Sequence, residues 1–252
     1  YTGDISMEQW TLAHPDCIRE LQRGYVDAGS RVLYTPTFGG NAVRLAAHGV
    51  TEDVAAYNRR LAALTREAAG DKALVAGDMA PTGLFLPPLG DASFRQLVDA
   101  YAQQVAGLEE AGVDLYVIET MISLSDARAA VLAVRAVTDK PIFVTFACDG
   151  NGRSISGTDV TAALTALQDM GIDAFGLNCS TGAQMLPQLR RLRAYARVPL
   201  IAKPSAGLPV MVDGRAVYDC PPEAFAACVP AMLDSGVMIF GGCCGTTAAH
   251  IA

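Results

Sequence analysis

Residues 93–147 read SFRQLVDAYAQQVAGLEEAGVDLYVIETMISLSDARAAVLAVRAVTDKPIFVTFA. From Ser93 to Ala111, and again from Ser125 to Thr138, alanine, leucine and valine return every three or four residues while charges take the opposite face, as in an amphipathic helix. Asp114 to Thr120 and Pro141 to Ala147 are short apolar runs of the length and composition of buried strands. The junction Ala111-Gly112-Val113-Asp114 recurs as Met170-Gly171-Ile172-Asp173, and in altered form as Ser235-Gly236-Val237. Glycine just past a helix end suits the left-handed C-cap, so one helix-to-strand turn is used repeatedly.

Reading outward in both directions gives further strands at Arg31 to Phe38, Ala73 to Ala80, Asp173 to Cys179, Val198 to Lys203 and Val237 to Phe240, seven in all. Strict alternation of strand and helix predicts a parallel sheet covered by helices on its faces. Spread over 252 residues, it points to an α/β chain of (β/α)8 TIM-barrel class. A doubly wound open sheet is the alternative. The eighth strand of the barrel is expected upstream of Tyr1, because the chain opens on a polar, irregular segment; both ends read as trimmed. No linker, low-complexity tract or charge block divides residues 1–252, which predicts a single domain. The irregular stretches Pro81 to Asp91 and Asp149 to Asp159 both follow strands, where barrels place their function.

Composition excludes several classes. A net charge of -7 and the lack of a Lys/Arg run argue against nucleic acid as a partner. Apolar runs are far shorter than the roughly 20 residues that cross a bilayer, so no membrane partner is expected. Seven cysteines in a chain large enough to fold without staples fit a reducing compartment, and the cytoplasm is the expected location.

Three of those cysteines stand at strand ends, Cys179 in Gly176-Leu-Asn-Cys-Ser180 and the pair in Gly241-Gly-Cys-Cys-Gly245. Their strands lie two apart in a barrel, so the sulfurs can converge. Three thiolates are a ligand set for Zn²⁺ that leaves a fourth tetrahedral position open, and a thiol entering it would ionise near neutral pH. We therefore take Cys179, Cys243 and Cys244 as metal ligands and catalytic residues. A vicinal disulfide between Cys243 and Cys244, or a dithiol redox cycle, is the competing reading. Cys17, Cys148, Cys220 and Cys228 are read as small buried hydrophobes.

The segments Gly-Leu-Asn-Cys-Ser, Phe240-Gly-Gly-Cys-Cys-Gly-Thr-Thr247 and Val117-Ile-Glu-Thr120 resemble those of the homocysteine S-methyltransferase family. So do Tyr34-Thr-Pro-Thr-Phe-Gly-Gly-Asn41 and Gly77-Asp-Met-Ala-Pro-Thr-Gly83, and the resemblance runs from about Asp16 to His250. It implies a zinc (β/α)8 barrel. Lys203-Pro-Ser-Ala-Gly-Leu-Pro209, with Asp213-Gly and Val217-Tyr218, is most similar to the homocysteine-binding domain of the cobalamin-dependent methionine synthase branch. That branch implies methyl transfer from methylcobalamin, or another methylcorrinoid on a separate domain or partner protein, to the zinc-bound sulfur of homocysteine, giving methionine.

By position, Glu119 would take the substrate's amino group, and Thr37, Phe38 and Asn178 would line the pocket. Ser205 stands among the substrate-binding candidates where the family has Asn. Sulfonium or betaine-like donors, another acceptor thiol, or a non-catalytic zinc-thiolate module are the alternatives within this reading.

Overall fold

The computed structural model describes residues 5–212 and 214–252. Asp213, part of the motif quoted above, and the opening residues 1–4 lie outside them. Among the described residues lie nine strands: β1 Val32–Tyr34, β2 Leu74–Met79, β3 Leu115–Met121, β4 Ile142–Phe146, β5 Ala174–Asn178, β6 Leu200–Lys203, β7 Val210–Val212, β8 Arg215–Val217 and β9 Val237–Phe240. All except β7 and β8 answer to a strand expected from the sequence. The first is shorter than expected. Thr35 still donates its N–H to the Ala76 carbonyl, but Pro36 has none to give and the ladder stops.

The chain forms two compact units, one of Tyr1–Glu119 with Ser125–Phe143, the other of Thr120–Leu124 with Val144–Ala252. In the first, β1, β2 and β3 lie side by side in chain order, and both pairings are parallel. Ala76, Leu115 and Val117 are buried together, with Val32, Tyr34 and Phe143 packed against them. Helices Val54–Ala69 and Phe94–Glu110 cover this unit. The second begins on a capping box in which Ser93 and Gln96 each satisfy the other's backbone N–H.

In the second unit β5 pairs parallel with β6, and β6 with β9, again in chain order. Phe146 and Phe175 are fully buried, their ring centroids 5.7 Å apart. Helices Val160–Gln168 and Gly182–Arg193 follow β4 and β5, the latter opened by a Thr181–Gln184 capping box. The turns at Gly112 and Gly171 take the positive φ that the repeated junction predicts.

What the periodicity does not show is the antiparallel hairpin of β7 and β8, inserted after β6. Its strands are exposed on both sides and only three residues long, so the apolar Val210-Met211-Val212 of β7 is too short to mark a strand and β8 shows no pattern. Cys17 departs from expectation too: it is exposed, on the solvent side of helix Pro15–Asp27, and Cys148, Cys220 and Cys228 are half-buried rather than buried. No helix among the described residues is long and apolar enough to cross a membrane.

Candidate active site

The second unit brings the three singled-out cysteines together. Cys179 follows directly on β5, and Cys243 and Cys244 lie in the loop after β9. Their sulfurs all fall within 4.8 Å of one another, with Cys179 to Cys244 at 3.8 Å and Cys243 to Cys244 at 4.0 Å. Tetrahedral zinc with sulfurs at about 2.3 Å spaces those sulfurs about 3.8 Å apart, so the donor set fits that ion, two of its spacings closely. All three are free thiols, and the Cys243–Cys244 pair is not a vicinal disulfide.

Main-chain hydrogen bonds from the end of β6 hold the two cysteine segments. Cys243 donates its N–H to the Pro204 carbonyl, and Ala206 donates its own to the Cys244 carbonyl, both at 2.9 Å. Ser205 donates its N–H to the carbonyl of Ser180, next to Cys179, also at 2.9 Å. Ser205 is thus buried in the strap joining the cysteine loops, through its backbone. Thr246 closes the turn by donating its hydroxyl to the Cys243 carbonyl at 2.7 Å.

Two glycines are required here. A Cβ on Gly242 would overlap the Thr246 hydroxyl, and Gly245 takes φ +77° with the Tyr218 ring packed where its side chain would lie.

Crowding sets the electrostatics. The Cys179 thiol is pushed far above the ordinary thiol range, first by hydrogen bonding with Cys243 and Cys244, then by burial and by their charge. The Tyr218 phenol is pushed up by burial, then by the charges of Cys244 and Cys179. Three thiols this close cannot all ionise unless a cation supplies the balancing charge.

Backbone strain is concentrated at the same strand ends. Cys179 has φ 59° and Thr120, on β3, has φ 57°, a left-handed conformation that costs about 1–3 kcal/mol for a residue with a side chain. Asn178, fully buried at the end of β5, donates Nδ2–H to Thr120 Oγ1 at 2.7 Å and faces Cys243 Sγ at 3.7 Å.

The other predicted substrate contacts belong to the first unit. Glu119 is buried on β3. Thr37 is fully buried, its hydroxyl donating to the Asp78 carbonyl at 2.7 Å and lying 2.6 Å from that of Thr35. Phe38 is partly exposed and lines a cavity of about 410 Å³ with Thr35, Gly39, Arg44 and Asp78.

Sequence reading missed the groups that hold this loop. Gln104 donates to the Thr37 carbonyl at 2.7 Å, Asn58 to that of Gly40 at 2.7 Å, and the Glu8 carboxylate accepts from Gly39 N–H at 2.6 Å. Buried Gln, Asn and Glu on otherwise apolar helix faces were the available signal.

The homocysteine S-methyltransferase family matches residues 3–252, and the chain belongs to it. Methionine synthase of Mycobacterium tuberculosis is 34% identical over 250 residues, and that of Mycobacterium leprae 35%. Each alignment takes in 94% of this chain and 21% of the relative, so the chain spans about a fifth of the curated relatives it matches. Among solved structures, the homocysteine methyltransferase MmuM from Escherichia coli superposes in its oxidized form with a TM-score of 0.82 at 22% identity, covering 98% of this chain and 87% of that one. Its metallated form gives 0.81 at 23% identity, covering 97% and 85%. The likeness shows the fold, an α/β chain of TIM-barrel type rather than a doubly wound sheet.

Proposed function

We propose that this chain is the module that methylates homocysteine sulfur to give methionine, holding zinc with Cys179, Cys243 and Cys244. The observation carrying the proposal is the convergence of those three sulfurs from the ends of β5 and β9 at spacings that suit one tetrahedral ion. When bound, zinc supplies the Lewis acidity that lets a thiol lose its proton at neutral pH. The protein's own contribution is to present three sulfurs on strapped loops, with Cys179 and Cys244 exposed to solvent.

Transfer of a methyl group from the donor to sulfur needs no general base once the thiol has ionised, because the thiolate bonds to the methyl carbon as the bond from that carbon to the donor breaks. What remains is positioning of donor carbon and acceptor sulfur in line. The donor is assigned as a methylcorrinoid carried by another domain or protein, on the likeness of the segment Lys203 to Pro209 to the cobalamin-dependent branch and on the methionine synthase relatives. Glu119 is assigned to the amino group of homocysteine, and Thr37 and Phe38 to the lining of its pocket, from the resemblance. Free thiols at all seven cysteines fit the cytoplasm.

The test is zinc content together with methionine formation from homocysteine and free methylcobalamin, in the wild type and in Cys243→Ser. About one zinc per chain, lost in the variant along with turnover, is the expected result. Turnover only with a sulfonium or betaine would overturn the donor assignment. Zinc binding with no methyl transfer from any donor would leave a binding module, and a wild type that takes up no zinc would remove the proposal.

A further inference from the structure

Asn178 spends its amide in an unusual way. One Nδ2 hydrogen goes to the Thr120 hydroxyl at 2.7 Å and the other side of the same nitrogen faces Cys243 Sγ at 3.7 Å, within reach of an N–H···S hydrogen bond. Its Oδ1 is buried and has no hydrogen-bond partner. Turning the amide over would place Oδ1 against the sulfur, which is unfavourable once that sulfur is a thiolate. The observed orientation leaves a buried acceptor unsatisfied, a cost to folding, and puts both donor directions to use.

Thr120 makes a matching sacrifice. A β-branched residue at φ 57° is an outlier, and it is pinned there with its N–H 3.4 Å from the hydroxyl of fully buried Thr145. The conformation carries the Thr120 hydroxyl to Asn178. A strained residue and an orphaned carbonyl oxygen thus lie on one chain of contacts, Thr145 to Thr120 to Asn178, that ends on a sulfur of the thiol cluster. Cys243 is also the half-buried member of that cluster, whereas Cys179 and Cys244 are exposed and can take hydrogen bonds from water.

We propose that Asn178 is a positioning residue for the Cys243 sulfur, aimed by Thr120, and that together they set how tightly the three-cysteine site holds its metal. The inference rests on the zinc reading above and deepens it. Asn178 acts through the ligand: its N–H draws charge from the thiolate and fixes the rotamer that points Cys243 at its two partners.

The experiment measures zinc affinity by chelator competition, and the sulfur-to-metal charge-transfer band after cobalt substitution, for the full chain and for Asn178→Leu, Thr120→Val and Thr120→Ser. The melting temperature of each metal-free protein is recorded alongside, so that a folding defect is separated from a site defect. Asn178→Leu and Thr120→Val should weaken zinc by about 10–100-fold and shift the cobalt band, the usual cost of removing a partner of a metal ligand. Thr120→Ser, which keeps the hydroxyl, should bind as the wild type does.

Zinc affinity and cobalt band unchanged in Asn178→Leu and Thr120→Val would overturn the proposal, as would a raised KM for homocysteine at unaltered zinc affinity, since that marks a direct substrate contact. Thr120→Ser losing as much zinc as Thr120→Val would overturn the part assigned to the hydroxyl. A wild type that binds no zinc overturns the functional reading and this inference with it; a wild type that binds zinc beside unaffected variants overturns this inference alone.

Discussion

In the first unit the loop after β1 is held by buried side chains, with Glu8, Asn58 and Gln104 each hydrogen-bonded to its backbone. In the second the cysteine loop after β9 is held by main chain, through Pro204 and Ala206, and its side chains are left to face one another. The same contrast holds for charge. Asp126, 2% exposed, is surrounded by donors: Thr82 gives it an N–H and a hydroxyl at 3.1 Å each, and Tyr101 a hydroxyl at 3.0 Å. The three thiols face one another, and Cys243 and Cys244 raise the cost of ionising Cys179. The buried carboxylate of the first unit has protein donors around it; the second gathers sulfurs whose joint ionisation an added cation would balance. The first pattern is that of a scaffold, and the second is the one the proposed metal site requires.

Substitutions in the first unit should therefore be read in stability and those in the second in metal. The largest expected stability effect is at Asp126, whose carboxyl is pushed up from 3.8 to about 6 by burial, against the hydrogen bonds from Tyr101 and Thr82. Because the folded-state value lies above the unfolded one, the folded protein holds the proton longer. Asp126 therefore costs stability as pH rises from about 4 through 6, by about 3 kcal/mol over the window. Melting temperatures of wild type and Asp126→Asn from pH 4 to 7 check the sign: the variant should gain on the wild type as pH rises. Parallel curves would mean that the donors compensate the burial fully.

Next in size is Gly242→Ala, where the added methyl meets the Thr246 hydroxyl. Overpacking there should cost about 1–3 kcal/mol. It should also weaken zinc, because Thr246 closes the turn that carries Cys243. Thr246→Ala removes the same turn closure, so the double variant should lose less than the sum of the two single losses. Double-mutant coupling near zero would show that the turn has slack and that the main-chain strap alone positions the sulfurs.

How much of this was legible beforehand depends on the physical range of each signal. Strands β2 to β6 announce themselves because a strand buried on both faces must be a nearly continuous apolar run; β9 is an apolar run as well, although Met238 and Phe240 are exposed. Cys179, Cys243 and Cys244 are legible because chemistry-bearing residues at predicted strand ends are few, and the alternation of strand and helix fixes which ends are neighbours. The β7–β8 hairpin is not legible, since its strands bury nothing and leave no periodicity. The role of Thr120 is not legible either. Its identity reads as an ordinary strand residue, and only its φ of 57° reveals that its hydroxyl is turned toward Asn178. Gln104 and Asn58 fall between: polar residues on buried helix faces signal a partner, but the partner is a loop carbonyl distant in sequence.

The smallest predicted effect is also the sharpest test of the division between scaffold and site. Thr37 is assigned by resemblance to the substrate pocket, yet its hydroxyl is already committed to the Asp78 carbonyl at 2.7 Å, in a fully buried position. Thr37→Val keeps the shape and removes that bond, so stability should fall by about 1 kcal/mol. For a chain of this size that is about 2–4 °C in melting temperature. The Asp78 carbonyl keeps a second donor, Gln104 at 3.1 Å, which holds the loss to the low end. If the melting temperature drops by this amount and KM for homocysteine does not change, Thr37 supports the loop through its hydroxyl alone. If KM rises while the melting temperature stays put, the hydroxyl must leave Asp78 for substrate, and the first unit would then contribute polar contacts to binding as well as a frame.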